Sequence, residues 1–277
     1  MRMSRFKTAF TASLATSLTL GLLSPAAAAC LNPAAKPNAA QSPANRAALI
    51  ELYTSEGCDS CPPADRWLES VLKKYSPEQV IPLSLHVNYW DYIGWKDRFA
   101  TPQFGARHSA LVQSNGKKTA YTPHVFNSGK DFTSWRSEAQ LEASLAQLNR
   151  QPASVKLRLE QVGFIKDAAA NGRSLKVQLD SQFASNPMAG TQAYLAVVED
   201  GLVSMVTRGE NAGATLNHAS VVRAWQGPFA LDAAAKRYSV QFDLPNDVNV
   251  GKLRVIAFAQ APQHGEGLQA VALGVCA

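Results

Sequence analysis

Residues 49–63 read Leu-Ile-Glu-Leu-Tyr-Thr-Ser-Glu-Gly-Cys-Asp-Ser-Cys-Pro-Pro, an apolar segment that leads into a Cys-x-x-Cys motif. The apolar part is typical of a buried β-strand. Cys58 and Cys61 are close enough in sequence to form a small disulfide, and the N-terminus of a following helix would stabilise a thiolate at Cys58. The motif therefore indicates redox chemistry.

A helix is predicted directly after the motif. Its apolar residues recur at intervals of three and four, the pattern of an amphipathic helix, at Ala64, Trp67, Leu68, Val71, Leu72 and Tyr75. Pro62 and Pro63 suit its first turn, where backbone N–H groups have no partner within the helix. Residues 80–87 form a second predicted strand, which completes a βαβ unit with a right-handed crossover.

The rest of the first half mixes helices, strands and one long aromatic segment. Residues 88–99 are too irregular for a helix, and such aromatic segments either fill a core or wall a site. Further elements are predicted as a helix over 103–113, a strand over 119–126 and a helix over 137–148. We therefore predict an α/β domain over residues 47–150.

The periodicity changes after residue 150. Apolar and polar residues alternate in about eight short segments separated by turn residues, which is typical of antiparallel strands. We therefore predict a mostly antiparallel β-sandwich domain over residues 151–277.

The N-terminal residues have the composition of an export signal. Three cations precede an apolar run that ends in a small-residue cleavage site, so residues 1–29 are predicted to be a signal peptide. Residues 30–46 are rich in Pro, Ala and Asn and are predicted to be a flexible leader. The protein is therefore expected in the periplasm or outside the cell, with no membrane-spanning segment after signal removal.

Four cysteines occur in the chain: Cys30, Cys58, Cys61 and Cys276. In an oxidising compartment two disulfides would account for them, and Cys30 with Cys276 would be the second pair. Cleavage after Ala29 would instead leave Cys30 as a possible site for a lipid anchor. The two roles of Cys30 are alternatives.

Composition excludes some function classes. Beyond the signal peptide, the chain has 24 Lys and Arg and 21 Asp and Glu residues, and the cations are scattered along the sequence. No nucleic-acid partner is therefore expected. Residues 265–267, Gly-Glu-Gly, have no βαβ unit around them and do not form a dinucleotide motif. No cofactor is predicted.

The order of elements in residues 47–150 resembles the thioredoxin superfamily. Two long motifs, Glu51-Leu-Tyr-Thr-Ser-Glu-Gly-Cys-Asp-Ser-Cys-Pro-Pro-Ala-Asp65 and His86-Val-Asn-Tyr-Trp-Asp-Tyr-Ile-Gly-Trp-Lys-Asp97, are similar to the secreted thioredoxin-like family called domain of unknown function 1223. The resemblance extends to residues 208–213 and 221–223. It implies a thioredoxin-like domain followed by the β-sandwich domain, but the family name implies no activity.

The resemblance also implies roles for single residues. It places a cis peptide bond before Pro123, beside the dithiol. Thiol-disulfide exchange would start at Cys58, and Cys61 would resolve the mixed disulfide. Glu51 would be a buried carboxylate that assists Cys61, or alternatively a glutamate that faces outward at a strand end. The expected partners are protein thiols and disulfides in the cell envelope.

Two other interpretations of the motif remain open. The disulfide can be purely structural, with the protein acting through binding. Alternatively, Cys58 and Cys61 can hold copper or zinc together with His86 and His124, as in copper-carrying relatives of thioredoxin.

Overall fold

The computed structural model describes residues 39–167, 172–262 and 265–275. The predicted signal peptide (1–29), the anchor or disulfide at Cys30, and its predicted partner Cys276 lie outside the described residues. Among the helices of the described ranges, none is both long and apolar enough to cross a membrane.

Strands dominate the structure. They are β1 (Ala39–Gln41), β2 (Ala48–Thr54), β3 (Val80–His86), β4 (His124–Asn127), β5 (Lys130–Asp131), β6 (Val155–Asp167), β7 (Gly172–Phe183), β8 (Gln192–Glu199), β9 (Leu202–Met205), β10 (Thr215–His218), β11 (Val221–Ala230), β12 (Ala235–Leu244), β13 (Leu253–Gln260) and β14 (Gly267–Gly274). The α-helices are α1 (Pro62–Lys74), α2 (Pro102–Ser114) and α3 (Glu138–Leu148), and 3-10 helices cover Asn88–Ile93 and Val250–Lys252.

The predicted elements around the Cys-x-x-Cys motif are confirmed. All seven residues of β2 are buried, and the strand pairs in parallel with β3 and antiparallel with β4. Helix α1 begins with Pro62 and Pro63, and its buried face includes Ala64, Leu68 and Val71. The aromatic segment begins with the short 3-10 helix, which the irregular sequence did not predict.

The predicted fold class is wrong. Strands account for 44 % and helices for 20 % of the structure, so the chain is mostly β rather than an α/β thioredoxin-like domain followed by a separate sandwich. One eight-stranded mixed sheet, with the order β14-β13-β8-β11-β3-β2-β4-β5, takes strands from both sides of residue 150. The halves join where β11 pairs in parallel with β3, at Val221 and Ser84.

The reason for the error lies in local periodicity. Strands β8 and β13 are buried on both faces, with alternate residues in two different core clusters. Strands buried on both faces belong in the middle of a large sheet, whereas the outer strands of a sandwich expose one face. Neither the alternation of apolar and polar residues nor a continuous apolar segment indicates which sheet a strand will join.

The large sheet is covered on both faces. One face is covered by α1 and α3 at the β2 end and by a second antiparallel sheet, β1-β6-β7-β12, at the other end. Helix α2 covers the opposite face. Part of the predicted flexible leader is ordered here, because β1 pairs with β6 and Ser42 N donates to Leu157 O at 2.8 Å.

A buried ion pair fastens α2 to the sheet. Arg107 Nε and Nη2 donate to Glu51 Oε2 and Oε1 at 2.7 and 2.9 Å, and Tyr53 Oη also donates to the carboxylate. The Arg107 guanidinium packs within 5.0–5.2 Å of three aromatic rings, those of Tyr194, Trp225 and Phe258. Burial would lower the pKa of Arg107, but the Glu51 charge outweighs it and raises the pKa. The pair is therefore charged and buried.

A chain of buried histidines makes a second link between α2 and the sheet. His108 Nδ1 lies 3.1 Å from Tyr89 Oη, His108 Nε2 lies 2.8 Å from His124 Nδ1, and His124 Nε2 lies 3.3 Å from Asp131 Oδ1. If Tyr89 donates first, each ring accepts at Nδ1 and donates at Nε2, so the whole chain is satisfied with both histidines neutral. Burial lowers the pKa of both histidines, and the charge of His124 helps to lower that of His108 to about 3.

The Glu51–Arg107 pair yields a stability prediction. Glu51→Gln leaves a buried guanidinium without its counter-charge, so the free energy of unfolding in urea should fall by about 3–5 kcal/mol. Glu69→Gln is the matched control, because Glu69 pairs with Lys73 on the exposed side of α1 and should change stability by less than about 1 kcal/mol. A Glu51→Gln loss no larger than the control would contradict the prediction.

The histidine chain yields a pH prediction. In the unfolded chain these histidines bind protons below about pH 6.5, but in the folded protein they stay neutral, so stability should fall as the pH drops below that value. For His108 alone the loss between pH 6.5 and pH 5 is about 2 kcal/mol. Urea unfolding at several pH values should show a weaker pH dependence in His108→Gln than in wild type.

His86 is the control for this prediction, because its pKa is shifted in the direction opposite to that of His108. Burial would lower the pKa of His86, but Asp97 outweighs it and raises the pKa. Its stabilising contribution is therefore present below about pH 6.5 and lost as the pH rises through the folded-state pKa. His86→Gln should not weaken the loss of stability at acidic pH. If the unfolding free energy depends equally on pH in wild type and His108→Gln, the assignment of this loss to His108 is refuted.

Candidate functional site

The two cysteines of the motif form a disulfide at the start of α1. Cys58 and Cys61 are bonded, with their Cα atoms 5.4 Å apart. Cys61 is the N-cap residue, and its carbonyl oxygen accepts hydrogen bonds from Ala64 N at 2.8 Å and Asp65 N at 3.2 Å. Both cysteines are fully buried. The sulfur atoms therefore lie at the positive end of the helix and away from solvent.

Cys58 contacts the loop that precedes β4. Its Sγ lies 3.8 Å from Thr122 O and 3.3 Å from Ser60 Oγ. The prediction of a cis bond between Thr122 and Pro123 is confirmed. Trp90 Nε1 donates to Thr122 Oγ1 at 2.7 Å, so the aromatic segment supports the loop beside the dithiol.

Residues 206–214, which join β9 to β10, lie against the motif, and we call them the capping segment. Asn211 Nδ2 donates to Glu56 O at 2.8 Å and to Cys58 O at 2.9 Å. Glu210 Oε2 accepts from Asp59 N at 3.1 Å. In the sequence, residues 208–213 are distinguished only by their resemblance to the family, because no periodic signal shows which loops meet in space.

Five titratable residues form a buried charge cluster next to the motif: Glu56, Asp65, His86, Asp97 and His218. His86 Nδ1 lies 2.7 Å from Asp97 Oδ2, which also accepts from Glu56 N at 2.9 Å. His218 Nε2 lies 3.4 Å from Glu56 Oε1, and Trp95 Nε1 donates to Glu56 Oε2 at 2.8 Å. Of these five residues, only His86 is a site residue predicted from the sequence.

The cluster shifts the pKa values of its carboxyl groups in opposite directions. Burial would raise the pKa of Asp97, but the charge and hydrogen bond of His86 outweigh it and lower the pKa. Burial would likewise raise the pKa of Glu56, but the hydrogen bond with His218 acts in the opposite direction, and the pKa is lowered. For Asp65, burial prevails over the two histidines and raises the pKa. The site therefore combines two carboxyl groups whose pKa is lowered with one whose pKa is raised.

Glu51, the carboxylate predicted to assist Cys61, makes its contacts on another side of the sheet. Glu51 shares a sheet face with Leu49 and Tyr53, opposite the face that packs against α1, and Arg107 holds its carboxylate. The expected partnership of Glu51 with Cys61 is therefore not what its contacts show.

The two histidines of the metal alternative lie in two different networks. His86 belongs to the charge cluster, and His124 belongs to the histidine chain. Within residues 39–167, 172–262 and 265–275, no group of three or more His, Cys, Asp or Glu side chains is arranged to hold a metal ion.

Solved structures that resemble this chain include the following two. A protein of Agrobacterium tumefaciens, AGR_C_4864, is 24 % identical with a TM-score of 0.56, over 82 % of this chain and 93 % of that one. HBP35 of Porphyromonas gingivalis is 14 % identical with a TM-score of 0.62, over 84 % of this chain and 76 % of that one. At these identities the likeness concerns the fold alone.

Sequence comparison supplies the family. No curated protein matches the sequence. The model of a family described as protein of unknown function (DUF1223) matches residues 49–260, which include the motif, the capping segment and all five cluster residues. This match covers well over half of the sequence, and the chain therefore belongs to the DUF1223 family.

Proposed function

We propose that this protein is an exported thiol-disulfide oxidoreductase that exchanges Cys58–Cys61 with protein thiols and disulfides in the cell envelope. The observation that carries the proposal is the closed disulfide at the N-terminus of α1. Helix dipoles stabilise a thiolate at this position, and the thiolate is the species that exchanges. Export rests on the signal-like composition of residues 1–29.

The proposed exchange conserves electrons between two dithiols. A partner thiolate attacks Cys58 Sγ, the disulfide opens, and Cys61 leaves as a thiolate. The partner's second thiolate then attacks the mixed disulfide, so the partner is oxidised and the Cys58–Cys61 pair is reduced. The reverse sequence oxidises a substrate dithiol.

Access to Cys58 requires the capping segment to move. Both cysteines are fully buried, and the segment is held to the motif by two bonds from Asn211 and one to Glu210. Two neutral hydrogen bonds contribute about 1–3 kcal/mol together, a barrier that a binding partner can overcome. A partner that displaces the segment would thus reach the sulfur.

The same burial favours a second candidate, a purely structural disulfide. Reactive cysteines are usually partly exposed, whereas structural disulfides are buried and resist reduction. On this reading the protein acts by binding, and the motif fastens the capping segment to the sheet. The two candidates differ in whether the disulfide turns over.

Turnover distinguishes the two candidates. Wild-type protein should catalyse the reduction of insulin disulfides by dithiothreitol, and Cys58→Ser should lose at least about a hundredfold of that rate because the attacked sulfur is gone. Cys61→Ser should instead accumulate a mixed disulfide with its substrate, visible by mass spectrometry. Ser70→Ala, an exposed site on α1, should retain the wild-type rate. An inactive wild type whose disulfide survives strong reductant would establish the structural candidate.

Removing the cap should expose the dithiol. Asn211→Ala deletes both bonds to the motif, so reduction of the disulfide by a small thiol should become about tenfold faster. Asn217→Ala is the matched control, because Asn217 is an exposed residue of the same type on β10. The rate can be followed by quenched-flow alkylation of the released thiols; equal rates in both variants would show that Asn211 does not control access.

A further inference from the structure

Two neighbouring cavities open beside α2, on the face of the large sheet opposite α1. Their volumes are about 320 Å³ and about 390 Å³, and both are lined by Trp225 of β11 and Gln103 of α2. Because they share these side chains, we describe them together as the Trp225 groove. Cavities of about 300–1,000 Å³ are the size that binds small ligands, so the groove has room for a ligand that extends across Trp225.

Trp225 provides a rigid aromatic surface in the middle of the groove. Its ring packs against the rings of Tyr194, Phe258 and Phe104, with centroids 5.5, 5.7 and 6.0 Å away. The Arg107 guanidinium lies 5.2 Å from the same ring. These contacts hold the indole in place, while part of it lines both cavities. An aromatic side chain held in this way binds a flat apolar surface at low cost in conformational entropy.

Two glutamine amides in the smaller cavity have fixed orientations. Arg107 Nη2 donates to Gln260 Oε1 at 2.9 Å, and Tyr194 Oη donates to Gln192 Oε1 at 2.9 Å. Because these bonds engage both amide oxygens, they determine which side of each amide is the NH2 group. Among the described residues, neither NH2 group has an acceptor. The glutamines therefore offer two oriented donors to a ligand in the cavity.

The charges of the groove are balanced within the protein. Each arginine of its lining has a carboxylate partner: Arg107 with Glu51, Arg223 with Glu199 and Asp247, and Arg98 with Asp247. An ionic ligand would have to leave water for a place that holds no excess of opposite charge. The groove therefore favours an uncharged polar ligand over an ion of either sign.

We propose that the Trp225 groove binds a neutral saccharide. One sugar ring stacks its C–H face on Trp225, because C–H groups carry partial positive charge and are attracted to the negative face of an aromatic ring. Oxygen atoms at the rim of the sugar accept hydrogen bonds from the NH2 groups of Gln192 and Gln260. The proposal is independent of the exchange chemistry, since α1 and its cysteines lie on the other face of the sheet.

The test is a titration of the protein, without its predicted signal peptide, with chitotriose and with cellotriose. These neutral trisaccharides differ in their acetamido groups. The five tryptophans give five indole N–H signals in a proton–nitrogen correlation spectrum, and the signal missing from Trp225→Phe is that of Trp225. At least one trisaccharide should shift this signal at concentrations up to about 10 mM, which detect a Kd of about 1 mM. If neither shifts it, the proposal is overturned.

Two variants test the aromatic surface and the donors. Trp225→Ala removes the stacking surface and should weaken binding at least about tenfold by calorimetry. Gln192→Ala removes one donor and should weaken binding about three- to tenfold. Gln226→Ala is the matched control and should keep the wild-type Kd, because Gln226 is an exposed neighbour of Trp225 on β11 that lines neither cavity. A Kd unchanged in both groove variants would place the saccharide elsewhere and overturn the proposal.

Two further measurements keep the result decisive. Circular dichroism checks that Trp225→Ala folds; if it does not, the Kd of Gln192→Ala decides alone, and a wild-type value overturns the proposal. The same titration with trialanine tests whether the groove binds peptides instead. A Trp225 signal that shifts with trialanine but with neither trisaccharide also overturns the proposal.

Discussion

The architecture depends on one strand junction, the parallel pairing of β11 with β3. Ser84 N donates to Ser220 O at 2.8 Å, and Val221 lies beside Ser84 in the sheet. Ser220 adopts a positive φ of 55° and is held there by Asp200, which in turn binds Arg254. Because a residue other than glycine disfavours this conformation, the surrounding polar contacts must stabilise the turn. The turn aims β11 at the edge of β3 and makes one sheet from the two halves of the chain.

This junction also builds the candidate site. The hairpin of β9 and β10 precedes Ser220 directly, so the pairing of β11 with β3 fixes the hairpin over the start of α1. The capping segment of this hairpin supplies Asn211 and Glu210 to the motif, and β10 supplies His218 to the charge cluster. The site is consequently composite: the cysteines and four of the five cluster residues come from the first half of the chain, and the capping segment and His218 come from the second. Neither half contains a complete site.

Local signals explain which parts of this arrangement the sequence predicts. The strand, the Cys-x-x-Cys motif and helix α1 are contiguous, and their spacing and caps determine them within a few residues. Helix α2 (Pro102–Ser114) likewise lies where a helix over 103–113 is predicted. The sheet order does not follow from periodicity, since β8 and β13 gain their buried faces only when other strands and helices cover them. For the same reason the orientation of Glu51 toward Arg107, and the approach of Asn211 and His218 to the motif, depend on contacts between residues far apart in sequence.

The position of Asp65 conflicts with stability. Helix α1 buries Ala64, Leu68 and Val71 against Ile50 and Leu52, whereas Asp65 lies near His86, His218 and Asp97. A buried carboxyl group instead carries a desolvation cost of several kcal/mol if ionised and a lesser one if protonated. Burial raises the pKa of Asp65, which shifts the group toward the neutral acid and so lessens this cost. The charge cluster therefore accommodates a buried carboxyl group at position 65 through the histidines on one side and the smaller desolvation cost of the neutral acid on the other.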